Sequence, residues 1–262
     1  MRTSGELLTL TNGVAVIRLV AAAGELGVAE IGARLGLSKT AAHRIASTLT
    51  TLGIFAQDHR TRRYHLTQSL WDTALDAMHR TPLFDLAVKH VQRIAFQLQA
   101  STNLSIPDGT ETAFLARVSI EPEGPIFYPI AVRHPAYRNA AGKAMLAFQG
   151  DELFQAVVAA GLEAVTPNTV TDPEALAAEL AEVRALGYAV NRGESVPGLA
   201  GMGVPIFSGD GLPVAAFGMS VPAERFTPDF VASTSGIMLA AAREVSHALG
   251  YREHWSEGFA IV

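Results

Sequence analysis

Apolar residues recur along the chain with two different periods. In residues 12–23, NGVAVIRLVAAA, Val16, Leu19, Val20 and Ala23 follow a helical spacing, and Gly24 stops it. Residues 28–35 predict a second helix with Ile31 and Leu35 inward, and Gly36 can supply the positive φ of a tight turn. Ser38 has the chemistry to cap a third helix that runs to about Leu52 and ends at Gly53. On a helical wheel Ala41, Ala42, Ile45, Thr48, Leu49 and Leu52 form a core stripe. Thr40, His43, Arg44 and Ser47 gather on the opposite side. IFAQ and RYHLT around DHRTR switch to alternation and predict a β-hairpin. A helix at 68–79 follows, with Leu70, Trp71, Leu75 and Met78 apolar, and Thr81-Pro82 breaks it.

The second part opens with a helix at about 83–100. Strands are predicted within 103–118 around an Asp-Gly turn and at IFYPIAV, 126–132. Helices follow at 140–148, 151–161 and 173–187, the last with Asp172 as cap and Pro173 at its first position. YAVNR, GMGVPIF and PVAAFGMSV are further strands, and an amphipathic helix runs from Pro228 to about Leu249. The class is α+β with a mainly antiparallel sheet. The predicted units are 1–67, a linker helix at 68–80, and 81–262.

Charge changes this picture. Residues 1–80 carry nine Lys/Arg and six Asp/Glu; residues 81–262 carry eleven and nineteen. Between 34 and 63 six basic residues face only Asp58, and 36–57 contains no acid at all. A face meant only for water would mix in Glu or Asp. Three helices with a glycine turn between the second and third make a helix-turn-helix, with the hairpin as a wing. Double-stranded DNA is therefore the expected partner, against the plainer alternative of a structural three-helix domain. Lys39 and Arg44 could reach guanine edges, while Ser38 and Thr40 at the helix start, and Arg60, Arg62 and Arg63 near the wing tip, suit phosphates.

Enzyme chemistry finds little support. AAGKAML lacks the first glycine and the Ser/Thr of a phosphate loop, so Lys143 reads as a helix-start residue. GLAGMG has the wrong glycine order for a dinucleotide fingerprint and reads as a strand approached closely by other backbone near a ligand. His43, His65, His90 and His134 are scattered, and no H-E-x-x-H or G-x-S-x-G occurs. No metal and no cofactor are expected. The chain has no cysteine, no run of 18 apolar residues, and in MRTSGELLTLTNG no signal-peptide core. A cytoplasmic location away from membranes is expected.

Several motifs carry a resemblance to one family. In the first part they are 26-LGVAEIGARLGLSKTAAHRIASTLTTLGIF-55 and 63-RYHLT-67. In the second they are 135-PAYRNAAGKAMLAF-148, 171-TDPEALAAELAEVRALGYAV-190, 197-PGLAGMGVPIF-207 and 214-VAAFGMSVPAERFT-227. The chain resembles the IclR family of bacterial transcriptional regulators over more than 200 residues. The resemblance implies a winged helix-turn-helix joined by a linker helix to a GAF-like effector-binding domain. It implies homodimers formed through the N-terminal part, often paired into tetramers, that bind operator DNA to repress or activate. It also implies a small-molecule effector, commonly a small organic acid or an aromatic catabolite.

Small-acid binders of that family often carry an acid, a cysteine and two serines around the pocket. At the matching positions this sequence has Asn191, Gly201, Gly218 and Ser220, which implies a roomier and less polar pocket. With Arg138, Asn139, Ala140, Gly142 and Met202 these are the effector-binding candidates. Arg138 either holds a carboxylate by a two-pronged hydrogen bond or points to solvent. An effector would shift the placement of the recognition helices through the helix at 68–79. The alternative is a second domain that only oligomerises.

Overall fold

A computed structural model of the chain describes residues 7–120 and 133–252. The strand predicted at 126–132 lies outside the described residues. The chain divides into two compact units, Met1–Arg80 and Thr81–Val262, and the helix predicted as a separate linker groups with the first.

The first unit contains α1 (Leu8–Ala23), β1 (Glu25–Leu26), α2 (Val28–Leu35), α3 (Lys39–Thr51), β2 (Phe55–Gln57), β3 (Tyr64–Leu66) and α4 (Gln68–His79). Gly36 adopts φ 64° at the end of α2, a left-handed turn that a side chain would strain. Val16, Val20, Ile31, Ala42, Ala46, Leu49, Phe55 and Tyr64 form one core. Burying each large apolar side chain contributes about 1.5–3 kcal/mol. The strands form an antiparallel sheet in the order β1-β3-β2.

Three expectations need correction here. Helix α1 starts four residues early, at Leu8. Its first turn leaves Leu7, Leu8 and Leu10 60–73% exposed, so core packing does not mark it in the sequence. Thr48 and Leu52 are exposed rather than in the core of α3, and Ala46 takes the buried place. The Thr48 hydroxyl donates to the Arg44 carbonyl at 2.8 Å, one turn back, and so needs no buried partner. Finally, the two-residue β1 was not foreseen, because such a short strand exists only through its pairing with β3.

The second unit contains α5 (Pro82–Leu98), β4 (Ser101–Asp108), β5 (Glu111–Val118), β6 (Arg133–Pro135), a 3-10 turn (Ala136–Arg138), α6 (Ala140–Leu146), α7 (Asp151–Ala160), α8 (Pro173–Leu186), β7 (Ala189–Arg192), β8 (Leu199–Phe207), β9 (Pro213–Pro222) and α9 (Pro228–Ala248). Asp172 caps α8 by accepting from Ala175 N at 2.9 Å, as predicted. The six strands are antiparallel in the order β6-β5-β4-β9-β8-β7.

Alternation along β8 and β9 separates the two faces of the sheet. Met202, Val204, Ile206, Phe217 and Met219 pack with Val91, Ile94, Met238 and Val245 of α5 and α9. On this side His90 is 2% exposed, with Nδ1 2.9 Å from Arg93 Nη2 and Nε2 3.6 Å from Glu244 Oε1. Burial pushes its pKa down; the Glu244 charge opposes that, and Arg93 and Lys89 add to it. The other face carries Gly201, Gly203, Ala216, Gly218 and Ser220, and α6 lies across it. A Cβ on Gly203 would collide with the Ala140–Ala141 backbone, so glycine admits the helix to the sheet.

Candidate functional site

Two surfaces qualify, one in each unit. In the first unit Ser38 caps α3 by accepting from Ala41 N at 3.1 Å. Its hydroxyl is therefore engaged, while Lys39, Thr40, His43, Arg44 and Ser47 all stand exposed along α3. In the wing Asp58 accepts from the backbone N–H groups of Arg60 and Thr61 at 2.9 and 2.6 Å. These bonds, Thr61's first, hold its carboxyl below the usual range. The one acid of the basic stretch thus shapes the turn that presents Arg60 and Arg62, both exposed. Arg62 itself sits at φ 60°. Arg63 closes the turn opposite Asp58, whose N–H donates to its carbonyl at 2.9 Å, but its side chain is committed to two acids. Its Nε lies 3.0 Å from Glu25 Oε1 and its Nη1 3.0 Å from Glu30 Oε2. That pairing neutralises Arg63 and ties β3 to β1 and α2.

In the second unit a cleft of about 660 Å³, counting its open mouth, lies over the α6 side of the sheet. Its floor is built of two neighbouring rungs. Asn191 pairs with Gly201, Gly201 with Ser220, and Ser220 with Ser101. Gly203 pairs with Gly218, Gly218 with Asn103, and Asn103 with Arg117. Phe114 joins the wall through a bulge: Leu104 faces Ala116 and Ser105 faces Phe114, so Leu115 is left over. The extra residue returns Phe114 to the Arg117 side.

Of the predicted effector residues, Asn139, Ala140, Asn191, Gly201, Met202, Gly218 and Ser220 border the cleft. Met202 does so only through its backbone, since its side chain is buried with α5 and α9. Arg138 and Gly142 do not line it. Arg138 contributes its carbonyl, which accepts from Asn191 Nδ2 at 2.6 Å and from Ser195 Oγ. Gly142 is where α6 meets the 3-10 turn: a Cβ there would lie 2.6 Å from Ala136 Cα. Asn139 caps α6, accepting from Gly142 N at 2.7 Å and donating to Pro135 O at 2.9 Å. Asn191 also accepts from Glu194 N at 3.2 Å. Both amides hold the frame of the cleft.

The residues that sequence reasoning missed restore polarity to the cleft: Ser101, Asn103, Arg117 and Ser195, with Phe114 beside them. The lining is nevertheless mostly apolar, in keeping with the expectation of a less polar pocket, and the β4–β5 wall supplies polar groups to it. Lys143, expected to be a plain helix-start residue, is 2% exposed. Its Nζ donates to Glu194 Oε2 at 2.7 Å and Glu179 Oε2 at 2.9 Å. Burial pushes the Glu194 carboxyl above its ordinary range, with Lys143 pulling the other way. The pair fastens α6 to the segment that carries Ser195 and Val196 into the cleft wall. The apolar flanks of Lys143 in AAGKAML are the signal that it is buried.

Residues 9–59 match the IclR helix-turn-helix domain, and residues 75–247 match the bacterial transcriptional regulator IclR C-terminal domain. The HTH-type transcriptional regulator BhcR of Paracoccus denitrificans is 28% identical over 255 residues, 97% of this chain and 91% of that protein. The crystal structure of Thermotoga maritima IclR aligns with TM-score 0.75 and 28% identity, over 94% of this chain and all of that one. An IclR homologue from Microbacterium hydrocarbonoxydans complexed with 4-hydroxybenzoate aligns with TM-score 0.82 and 28% identity, over 92% of this chain and 98% of that one. No helix among the described residues is long and apolar enough to cross a membrane.

Proposed function

The chain belongs to the IclR family of bacterial transcriptional regulators, and from that premise we propose that it is a ligand-responsive one, reading operator DNA with α3 and sensing a small organic acid in its cleft. The observation that carries the reading is the pairing of an exposed, acid-free face on α3 with a separate cleft holding a cation. Lys39, Thr40, His43, Arg44 and Ser47 meet base edges and nearby phosphates in the major groove. Arg60 and Arg62 meet phosphates from the wing, and Ser38 and Arg63 support them structurally. The 4-hydroxybenzoate in the Microbacterium homologue favours an aromatic acid for this cleft as well.

The exposed Leu7, Leu8 and Leu10 at the start of α1, with Trp71 and Leu75 of α4, support a homodimer or dimer of dimers. An effector that prefers one placement of the paired recognition helices changes operator affinity through half-site spacing. A coupling of about 1–3 kcal/mol, roughly 5- to 150-fold, is the usual scale. The test is to sequence the DNA fragments the protein captures from its host's genome, then titrate the best fragment with and without candidate acids. Capture without sequence preference would sink the operator reading. If no acid in a broad panel shifts either operator affinity or melting temperature, the sensing reading falls, and the second unit is left as an oligomerisation domain.

A further inference from the structure

The cleft's two rungs differ in what they offer a ligand. On the rung nearer α6, Gly218, Asn103 and Arg117 stand side by side on β9, β4 and β5. A Cβ placed on Gly218 would lie 2.7 Å from Asn103 Oδ1 and 3.0 Å from Nδ2. The Asn103 amide therefore fills the space that Gly218 leaves, and bulk that one strand lacks is supplied by its neighbour. Asn103 Oδ1 accepts from Ser105 Oγ at 2.8 Å. Among the described residues Asn103 Nδ2 makes no hydrogen bond, which leaves it able to donate to a ligand, and Arg117 lines the same cleft from the neighbouring strand.

One rung along the strands, about 7 Å away by strand geometry, stand Ser101 and Ser220. Ser101 Oγ lies 3.3 Å from Ser119 Oγ, so hydroxyl chemistry dominates this end. Phe114 borders the opposite end, facing Ser105 one rung beyond Asn103. Cation, amide and aromatic ring at one end and hydroxyls at the other match an aromatic acid with a polar group para to its carboxylate.

We propose that Asn103 selects the effector: with Arg117 it holds the carboxylate, and its amide limits how far a ligand reaches over Gly218. The inference rests on the acid-sensing reading above and adds to it the residue that sets specificity. Arg117 contributes the positive charge at this end of the cleft. Asn103 contributes a neutral donor and a shape, so changing it alters ligand choice while the cation stays.

Calorimetry on the full-length protein tests this with three probes: 4-hydroxybenzoate, its neutral amide 4-hydroxybenzamide, and the longer 4-hydroxycinnamate. The wild type is expected to bind the acid at least about ten-fold more tightly than the amide. Asn103→Gly should weaken 4-hydroxybenzoate by about ten-fold and reverse the preference toward 4-hydroxycinnamate. Gly218→Ser should lose binding by collision with the Asn103 amide, and the N103G/G218S double variant should regain it. Asn103→Asp, nearly isosteric, should repel the acid and spare the amide; it reads the same role should N103G fail to fold. Unchanged affinities and order in N103G, or full acid affinity in N103D, overturn the inference alone. Equal binding of acid and amide by the wild type overturns the carboxylate assignment. Failure of all three probes to bind the wild type overturns aromatic-acid sensing and this inference together.

Discussion

The two candidate surfaces are built in opposite ways. The α3 face comes from one helix, so residues within a dozen positions of each other share it by periodicity alone. The cleft draws on β4, β5, β7, β8, β9 and the start of α6, more than a hundred positions apart in the chain. A surface made from one element can be altered without disturbing the unit that carries it. One made from six elements has its shape and its stability in the same residues.

The sharpest test of that contrast is Lys143→Met. It leaves Glu194 buried without its cation, a loss on the order of 3–5 kcal/mol. Chemical denaturation should show only the second unit's transition moving, together with lost ligand binding. If the first unit's transition moves equally, the two surfaces are not independent in this way. Arg44→Ala should act conversely. It should cost about 1–3 kcal/mol of operator affinity and relax preference at one base pair, with melting and effector binding unchanged in thermal scans. Ser38→Ala should lower the first unit's stability by about 1 kcal/mol through loss of the cap, a case where the local surface is also structural.

Two smaller effects refine the comparison. Arg60→Gln and Arg62→Gln should each reduce the slope of log affinity against log salt by about 0.9, whereas Arg63→Gln should leave that slope nearly unchanged and weaken folding instead. His90 gives the second unit a pH dependence of its own. Its folded pKa is depressed, so the unfolded chain binds the proton more readily. Stability is then fully present above about pH 6.5 and declines as pH falls toward the folded value. His90→Gln should flatten that acid-side decline in melting curves and leave the first unit's curve as it was.

The same contrast explains what could be read from the chain alone. Gly36, Ser38 and Asp172 announced their turns and caps because their chemistry acts within four residues. The exposed polar face of α3 was legible because a single period generates it. Arg63 was not, since its partners Glu25 and Glu30 lie more than thirty positions away. Asn103 and Arg117 were missed for a related reason. Their meeting depends on strand register, and the arrival of Phe114 on their side depends on one extra residue at Leu115. Alternation in NLSIPDGTETAFLARV tells that two faces exist but not which residues oppose each other. Arg138 was singled out from its segment, and what that segment supplies is a carbonyl.

The glycines of the floor bear on how new specificities can arise. At Gly201 an added side chain would strike the Met219 carbonyl oxygen, and at Gly203 the start of α6, so both collisions are with main chain that cannot swing aside. At Gly218 the nearest obstacle is the Asn103 amide, a side chain that can itself be exchanged. Variation that reshapes the cleft without disturbing main chain is thus channelled to positions 103, 114, 117 and 218. A mutant library confined to those four should yield biosensors for new acids, while one spread over 201 and 203 should yield mostly chains that never mature.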